Sequence, residues 1–314
     1  MKNKKYFAEI LIFIFLFFYS YIIGSKYIYS DQQIYREVYD KIKNYSLFDA
    51  YIFYARSLDS LEIVHFIIIW IGSRIIQKDI LMSIINSILG IVGYRVLRKW
   101  GSSKINAVFI IFANYYFLVL YFAAERLKFG FLLFGIALLS YNKKIIKILS
   151  EILSIFAHVQ MIIAYILYKM PLIVKSLNKI IIKLKFKFST LIVLCGVIVS
   201  FILIRNQLVN KIVHYYYVNK TFMELIKSFI FIILCIYYSK SRKIAILQSL
   251  FIIFSVLIVG SIRVNIFLFY FLLFNILQNQ NKKGKYVLYI LNVYYLINSI
   301  LFIKDIIFYG RSFL

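Results

Sequence analysis

Long apolar runs recur along the whole chain, separated by short polar stretches. Most runs have about the 20-residue length that an α-helix needs to cross a bilayer, which predicts an all-α, polytopic integral membrane protein with about 11 transmembrane or half-membrane helices. We expect one polytopic transmembrane domain over 1–314 with a cavity at its outer face. The predicted spans are 7–24, 79–97, 105–122, 127–141, 145–158, 159–174, 188–204, 223–239, 244–261, 264–277 and 286–303.

Composition supports the membrane assignment. The 314 residues are 63% hydrophobic and the mean hydropathy is +0.85, whereas a soluble domain would be near half apolar. The net charge of +26 would suggest a nucleic-acid partner in a soluble protein. In a membrane protein it indicates topology, because Lys and Arg accumulate in cytoplasmic loops, so no nucleic-acid partner is expected. The sequence contains no metal-ligand cluster, phosphate-binding Gly loop or CxxC pair, and we expect neither a metal nor a cofactor.

Charge also decides between two topologies. Segment 61–76 is short for a span, and segment 145–174 is long for one. If 61–76 does not cross and 145–174 turns near His158, the cytoplasmic stretches hold 22 of the 38 Lys and Arg and no acidic residue. The opposite choice places "RVLRKWGSSK" and "YNKKIIK" outside, against the positive-inside rule. We therefore predict a cytoplasmic N-terminus and an outer loop over 25–78 containing short helices, with a re-entrant helix as an open alternative.

Arginines are concentrated on the predicted outer side, which carries 7 Arg and 8 Lys against 3 Arg and 19 Lys inside. A guanidinium binds phosphate through two parallel hydrogen bonds, which a lysine cannot reproduce. Arg126 opens an apolar run, Arg205 ends one, and Arg263 lies between two spans with almost no loop. The alternative for each is an interfacial anchor whose side chain reaches the headgroups.

His158 follows Lys147, Glu151 and Ser154 at spacings that would place all four residues on one helix face. A polar stripe in an apolar helix should face a bundle interior or a wet cavity. His158 could then accept or relay a proton near neutral pH. The alternative is a structural histidine hydrogen-bonded between helices.

The predicted outer loop combines acidic residues with tyrosines. Ser30 and Gln33 form a capping-box pattern, so a helix is expected to begin near Asp31. Asp31, Tyr35 and Tyr39 recur at four-residue spacing and would share one face, where tyrosine rings suit contacts with sugars. Alternatively, Asp31 complements the helix dipole and the tyrosines lie among lipid headgroups.

Four stretches, "SDQQIYREVYD", "LEIVHFIIIWIGSRI", "FAAERLKFGFLLFGIALL" and "SIFAHVQMIIAYILY", follow one another as in the EpsG family of Wzy-type polysaccharide polymerases, which this chain resembles. The resemblance places Asp31, Glu62, Arg126, His158 and Arg263 at the positions of the family's pattern. The chain departs from that pattern where Glu62 lacks a following Pro-Gly, Leu127 replaces Gln, and Ala157 separates a Phe from the His.

The resemblance implies a polymerase that joins undecaprenyl-diphosphate-linked repeat units at the outer face of a bacterial cytoplasmic (inner) membrane. Both donor and acceptor would be lipid-linked glycans, with the bilayer and a chain-length regulator as further partners. The expected catalytic residues are His158, Asp31 and Glu62. Arg126, Arg263 and Arg205 would bind the diphosphate, and Tyr35 and Tyr39 the sugars.

The sequence is also compatible with other functions. A flippase or exporter of lipid-linked sugars would also need outward cationic residues, although such proteins have internal repeats or broken helices. Another lipid-linked-sugar glycosyltransferase or a polymer ligase would share the arginines and differ in acceptor. A non-catalytic membrane scaffold would tolerate the loss of Arg126.

Overall fold

The computed structural model describes residues 2–183, 222–279 and 281–312, and regular structure in these residues is entirely helical, as predicted. The α-helices are α1 (Lys2–Gly24), α2 (Asp31–Ile42), α3 (Leu47–Leu58), α4 (Ile63–Gly72), α5 (Lys78–Trp100), α6 (Lys104–Ala113), α7 (Tyr115–Leu118), α8 (Glu125–Leu139), α9 (Lys144–Ala157), α10 (Met161–Lys183), α11 (Phe222–Tyr238), α12 (Arg242–Val259), α13 (Ser261–Asn279) and α14 (Lys282–Tyr309). One π-helical turn, Val119–Ala123, joins α7 to α8.

Several helix ends have a clear local cause. The Ser46 side chain accepts a hydrogen bond from the Asp49 amide at the start of α3, and Ser103 does the same with Asn106 at α6, which satisfies a free amide of each first turn. Gly101 ends α5 at a φ of 105°, a conformation that glycine adopts without steric cost. The helix predicted near Asp31 is present, but Ser30 makes no side-chain cap, so the capping box is not formed.

Among the described residues, three helices are long and apolar enough to cross a membrane, over Phe7–Gly24, Lys78–Trp100 and Lys282–Tyr309. A fourth span results if Lys104–Ala113 and Tyr115–Ala123 count as one, although they meet at 52°. Helices α8 and α9 cover predicted spans but have only 15 and 14 residues. The large side chains of Phe15 and Phe18 are 63% and 58% exposed on α1, as expected of a helix against lipid.

The chain divides into two compact units. The first contains Met1–Met161 and Tyr289–Leu314, and the second contains Ile162–Leu288. In the second unit, Ser228 on α11 donates to Asn265 on α13 at 2.7 Å, and Gln248 on α12 donates to the Leu167 carbonyl at 2.8 Å. These bonds join buried polar groups of apolar helices, where an unpaired group would be costly.

In the first unit, α1 packs antiparallel to α5 while α8 runs parallel to α5. Arg95 near the end of α5 pairs with Glu9 near the start of α1. Lys78 in the first turn of α5 pairs with Glu125 in the first turn of α8. We call the end of the unit at which α5 and α8 begin, and α1 and α9 end, the upper end.

The helix is interrupted within the long segment 145–174, where α9 ends and α10 begins after a short turn. His158 caps the end of α9 with extended backbone, φ −162° and ψ 121°, so it does not continue the helix face of Glu151 and Ser154. Close packing of α8 on α9 holds this break in place, because Gly130 lies against Met161 and the Ser154 carbonyl. The turn therefore presents the imidazole at the upper end of the unit.

Candidate functional site

A partly buried carboxylate organises the first site at the upper end. Glu62 precedes α4 and accepts hydrogen bonds from His158 Nδ1 and, at 2.7 Å, from the Ser60 hydroxyl. His158 faces Oε1 of Glu62. Arg126, the second residue of α8, places its Nη1 3.1 Å from Oε2 of the same carboxylate. We call Glu62, Arg126, His158, Ser60 and Tyr35 the Glu62 cluster.

The Glu62 carboxylate is held in its charged form. Burial alone would raise the pKa of Glu62, but His158 and the Arg126 guanidinium outweigh burial and hold this pKa well below its ordinary value. The side chains of Glu62, His158 and Arg126 are 12%, 6% and 16% exposed. The cluster is thus largely desolvated and still reachable from the surface.

Arg126 is oriented from a second side by α2. The guanidinium Nε donates to the Tyr35 hydroxyl at 3.0 Å, and burial raises the pKa of Tyr35 to about 12, so this phenol stays neutral. Nη1 also approaches the Leu58 carbonyl at 3.5 Å. Within the described part of the chain, Nη2 of Arg126 and Nε2 of His158 form no hydrogen bond. These two nitrogens are the groups that the cluster can offer to a ligand.

A second buried cluster shares the first turn of α8. Glu125 binds Lys78 Nζ at 2.8 Å, and its other oxygen lies 3.5 Å from Nε2 of His65. The same histidine bonds the Tyr54 hydroxyl through Nδ1 at 2.9 Å. We call Lys78, Glu125, His65 and Lys128 the Lys78 cluster; the side chains of all four are at most 7% exposed.

The π-helical turn supplies main-chain acceptors to this second cluster. Because the π-helical turn ends at Ala123, the carbonyl of Tyr121 is left to accept from Lys128 Nζ at 2.8 Å and from Asn86 at 3.1 Å. Gln32 on α2 donates to the Phe122 carbonyl at 2.8 Å. A space of about 20 Å³ lies among these side chains, enough for a single water.

The structure brings together some of the predicted site residues. Glu62, Arg126, His158 and Tyr35 meet in the Glu62 cluster. Asp31 is exposed at the start of α2 and forms no ion pair with a described residue.

Three predicted residues lie elsewhere. Tyr39 is buried and donates to the Ile76 carbonyl at 2.8 Å, so its ring packs in the core and offers no open surface to a sugar. Arg263 is the third residue of α13 in the second unit. Arg205 lies outside the described residues.

Sequence reasoning missed the Lys78 cluster. The usable signal is ionisable residues next to or inside apolar runs, namely His65 in "VHFIII" and Lys78 before "ILMSIINSILG". The pairing of Lys78 with Glu125 could not be found this way, since it joins residues 47 positions apart. Their three-residue spacing would allow Glu125 and Lys128 to form a weak pair on a helix surface, whereas both are buried with other partners.

The chemistry available at the upper end is proton transfer and anion binding. In a neutral imidazole, a carboxylate that accepts from Nδ1 selects the tautomer whose Nε2 carries the lone pair. The adjacent guanidinium can bind a phosphate or carboxylate oxygen. Among the described residues, no group of three or more His, Cys, Asp or Glu side chains could hold a metal ion. No protein-family model, curated protein or solved structure matches this chain.

Proposed function

We propose that this protein is a glycosyltransferase of the Wzy type, similar to the EpsG family, that polymerises lipid-linked oligosaccharides at the outer face of a bacterial cytoplasmic membrane. The observation that carries the proposal is the Glu62 cluster, in which one partly buried carboxylate binds both the His158 imidazole and the Arg126 guanidinium. A base and a cation so close together suit a reaction that removes a proton from one oxygen and builds negative charge on another.

The donor in this proposal is an undecaprenyl-diphosphate-linked glycan. Its acyl chain lies in the bilayer and its diphosphate at headgroup depth, the depth expected for residues at the ends of membrane helices. Arg126, at the first turn of α8 and 16% exposed, would meet the diphosphate there with its Nη2 group. Diphosphate binding by Arg263 and Arg205 stays a prediction from the sequence.

His158 is the proposed general base. Its Nδ1–H donates to Glu62, so Nε2 accepts the proton of the attacking acceptor hydroxyl. Glu62 fixes the ring and stabilises the imidazolium that forms, the role a carboxylate has in a Ser-His-Asp triad. Asp31 is exposed, and the proposal gives it contact with the acceptor glycan, whereas Tyr35 is buried and orients Arg126.

The proposed step is a single displacement. The acceptor hydroxyl oxygen forms the new bond to the anomeric carbon of the donor, and its proton passes to His158. The bond from the anomeric carbon to the diphosphate oxygen breaks, and undecaprenyl diphosphate leaves with the electron pair. Arg126 stabilises the growing charge on the leaving group, so its interaction is strongest in the transition state.

The test uses purified full-length protein in detergent with lipid-linked repeat units, read out as a ladder of glycan lengths. Wild-type protein should lengthen the glycan. A transporter could not produce this result, because transport forms no glycosidic bond and a detergent solution has no second compartment. His158→Ala and Arg126→Ala should each lower the rate by about 10²–10⁴-fold, the range that a positioned base or charge supplies.

Arg56→Ala is the matched control, because Arg56 is an exposed arginine of α3 that forms no described hydrogen bond or ion pair. It should retain the wild-type ladder at equal protein level. Normal ladders from His158→Ala and Arg126→Ala would exclude the proposed mechanism. A wild-type protein that binds repeat units and never lengthens them would exclude the polymerase itself.

A further inference from the structure

Helix α4 exposes a row of isoleucines. Ile63, Ile67 and Ile71 recur every four residues, so they lie on one helix face, and they are 44%, 41% and 47% exposed. Ile75, just after the helix, is 71% exposed. The opposite face, with His65 and Phe66, is buried. A helix whose second face met water would carry polar residues there, and α4 carries none.

Both ends of α4 lie at the upper end of the first unit. Its first turn follows Glu62, which contacts α8 and the end of α9. Its last residue, Gly72, packs against Leu81 in the first turn of α5. With 10 residues, α4 is about 15 Å long, half the thickness of a bilayer core. The helix therefore lies across the end of the unit and does not run through it.

Aromatic and cationic groups border the isoleucine row. The Arg74 guanidinium lies 4.0 Å from the centre of the Trp70 ring and donates to the carbonyls of Trp70 and Tyr45, both at 2.6 Å. Tryptophan and tyrosine concentrate at the boundary between headgroups and acyl chains, and arginine extends its charge outward from there. Six residues after Gly72, the candidate span α5 begins at Lys78. The isoleucine row thus lies close to the level at which the candidate span α5 enters the bilayer.

We propose that α4 lies in the plane of the membrane interface, with the face of Ile63, Ile67 and Ile71 in contact with the lipid acyl chains of the leaflet at the upper end. Lipid is the occupant because the face is entirely aliphatic, has a Trp–Arg pair at its edge and adjoins a candidate span. This arrangement holds Glu62, the residue before the helix, at headgroup depth. The inference concerns lipid contact alone and stands independently of the proposed reaction.

Spin labels can measure this contact. Cys195 and Cys235 would be replaced by Ser, and Ile67→Cys, Ile71→Cys and Asp40→Cys labelled singly in full-length protein in phosphatidylethanolamine–phosphatidylglycerol nanodiscs. Molecular oxygen is enriched in the bilayer, whereas a nickel chelate stays in water. Labels at 67 and 71 should collide more often with oxygen than with the nickel chelate, so the ratio of the oxygen to the chelate collision rate should be above one. The label at Asp40, an exposed residue of α2, should give a ratio below one.

Two outcomes would overturn the proposal. A ratio below one at 67 and 71 would mean that the face meets water, and low collision rates with both reagents would mean that protein, such as a second copy of the chain, covers it. A label-free measurement avoids reliance on the cysteine variants. In Trp100→Phe protein, Trp70 fluorescence should be quenched by brominated acyl chains, and unquenched fluorescence would contradict the inference.

Discussion

At the scale of single residues, the first turn of α8 serves two different clusters. Adjacent residues on a helix point about 100° apart, so Glu125 and Arg126 face different neighbours. Glu125 is buried between Lys78 and His65, while Arg126 reaches Glu62 and Tyr35. A simple interfacial anchor would need neither set of partners. The Lys78 cluster therefore fixes the helix start, and the fixed start aims Arg126.

The charge state of Glu62 predicts a pH dependence of stability. Its folded-state pKa lies below the ordinary value of 4.5, so the unfolded chain binds a proton first as the pH falls. Glu62 thus contributes stability above about pH 4.5, and this contribution is lost at lower pH. We expect the thermal unfolding midpoint in detergent to decrease as the pH is lowered from about 6 to about 3, a range that brackets the ordinary carboxyl pKa of about 4. Circular dichroism measures this midpoint.

Glu62→Gln provides the comparison, since an amide does not titrate in this range. The variant should be less stable at neutral pH, because the Arg126 guanidinium loses its counter-charge and His158 loses a charged acceptor, and its midpoint should depend less on pH. If the unfolding midpoint depended equally on pH in wild type and Glu62→Gln, Glu62 would not be held in its charged form.

The Lys78–Glu125 pair predicts strong coupling between two buried charges. Lys78→Met should destabilise the protein by about 3–5 kcal/mol, because it leaves a buried carboxylate without its donor. Adding Glu125→Gln should restore part of the loss, since the unpaired charge disappears. The measurement is a double-mutant cycle of unfolding free energies in detergent. Additive losses in the double variant would contradict the pairing.

At the scale of helices, glycines on α8 set how closely its neighbours approach. A Cβ at Gly130 would lie 2.4 Å from Met161 Cγ and 3.3 Å from the Ser154 carbonyl. This contact joins α8, which carries Arg126, to the turn that carries His158. The spacing of the two proposed functional groups thus depends on a residue with no chemistry of its own.

Gly130→Ala should push the α9–α10 turn away from α8 and cost about 1–3 kcal/mol of stability, the usual cost of overpacking. Polymer lengthening should fall with it, because His158 moves relative to Arg126. Gly24→Ala is the matched control, since no atom lies within 4 Å of a Cβ there. Equal unfolding midpoints and equal ladders for the two variants would show that the close contact does not set the site.

The sequence predicts individual helices better than their contacts. Periodic apolar runs place α1, α5 and α14 correctly, and the break near His158 follows from a segment too long for one helix. The sequence also singles out Glu62, Arg126 and His158, through a resemblance and through charge. It does not reveal that Glu62 binds both others, because 96 residues separate it from His158. Tyr39 illustrates the limit, since a ring at the right spacing can equally face the core.

At the scale of the whole molecule, the proposed reaction depends on which side of the membrane the Glu62 cluster faces. In the first unit, this cluster lies where α8 begins, and the turn from Ser140 to Lys143 lies where α8 ends. Lys143 in that turn and Lys144 and Lys147 just after it are accompanied by no acidic residue, which favours a cytoplasmic position for the turn. Repeat units carried by undecaprenyl diphosphate would meet the cluster from the opposite side.

Two exposed asparagines test this sidedness as a matched pair: Asn44 follows α2 at the upper end, and Asn142 lies in the α8–α9 turn. With Cys195 and Cys235 replaced by Ser, a membrane-impermeant maleimide applied to intact cells should label Asn44→Cys and leave Asn142→Cys unlabelled. Permeabilised cells should label both, which controls for reactivity. The reverse pattern would place the Glu62 cluster in the cytoplasm, where His158 could not act on glycans that have already crossed the membrane.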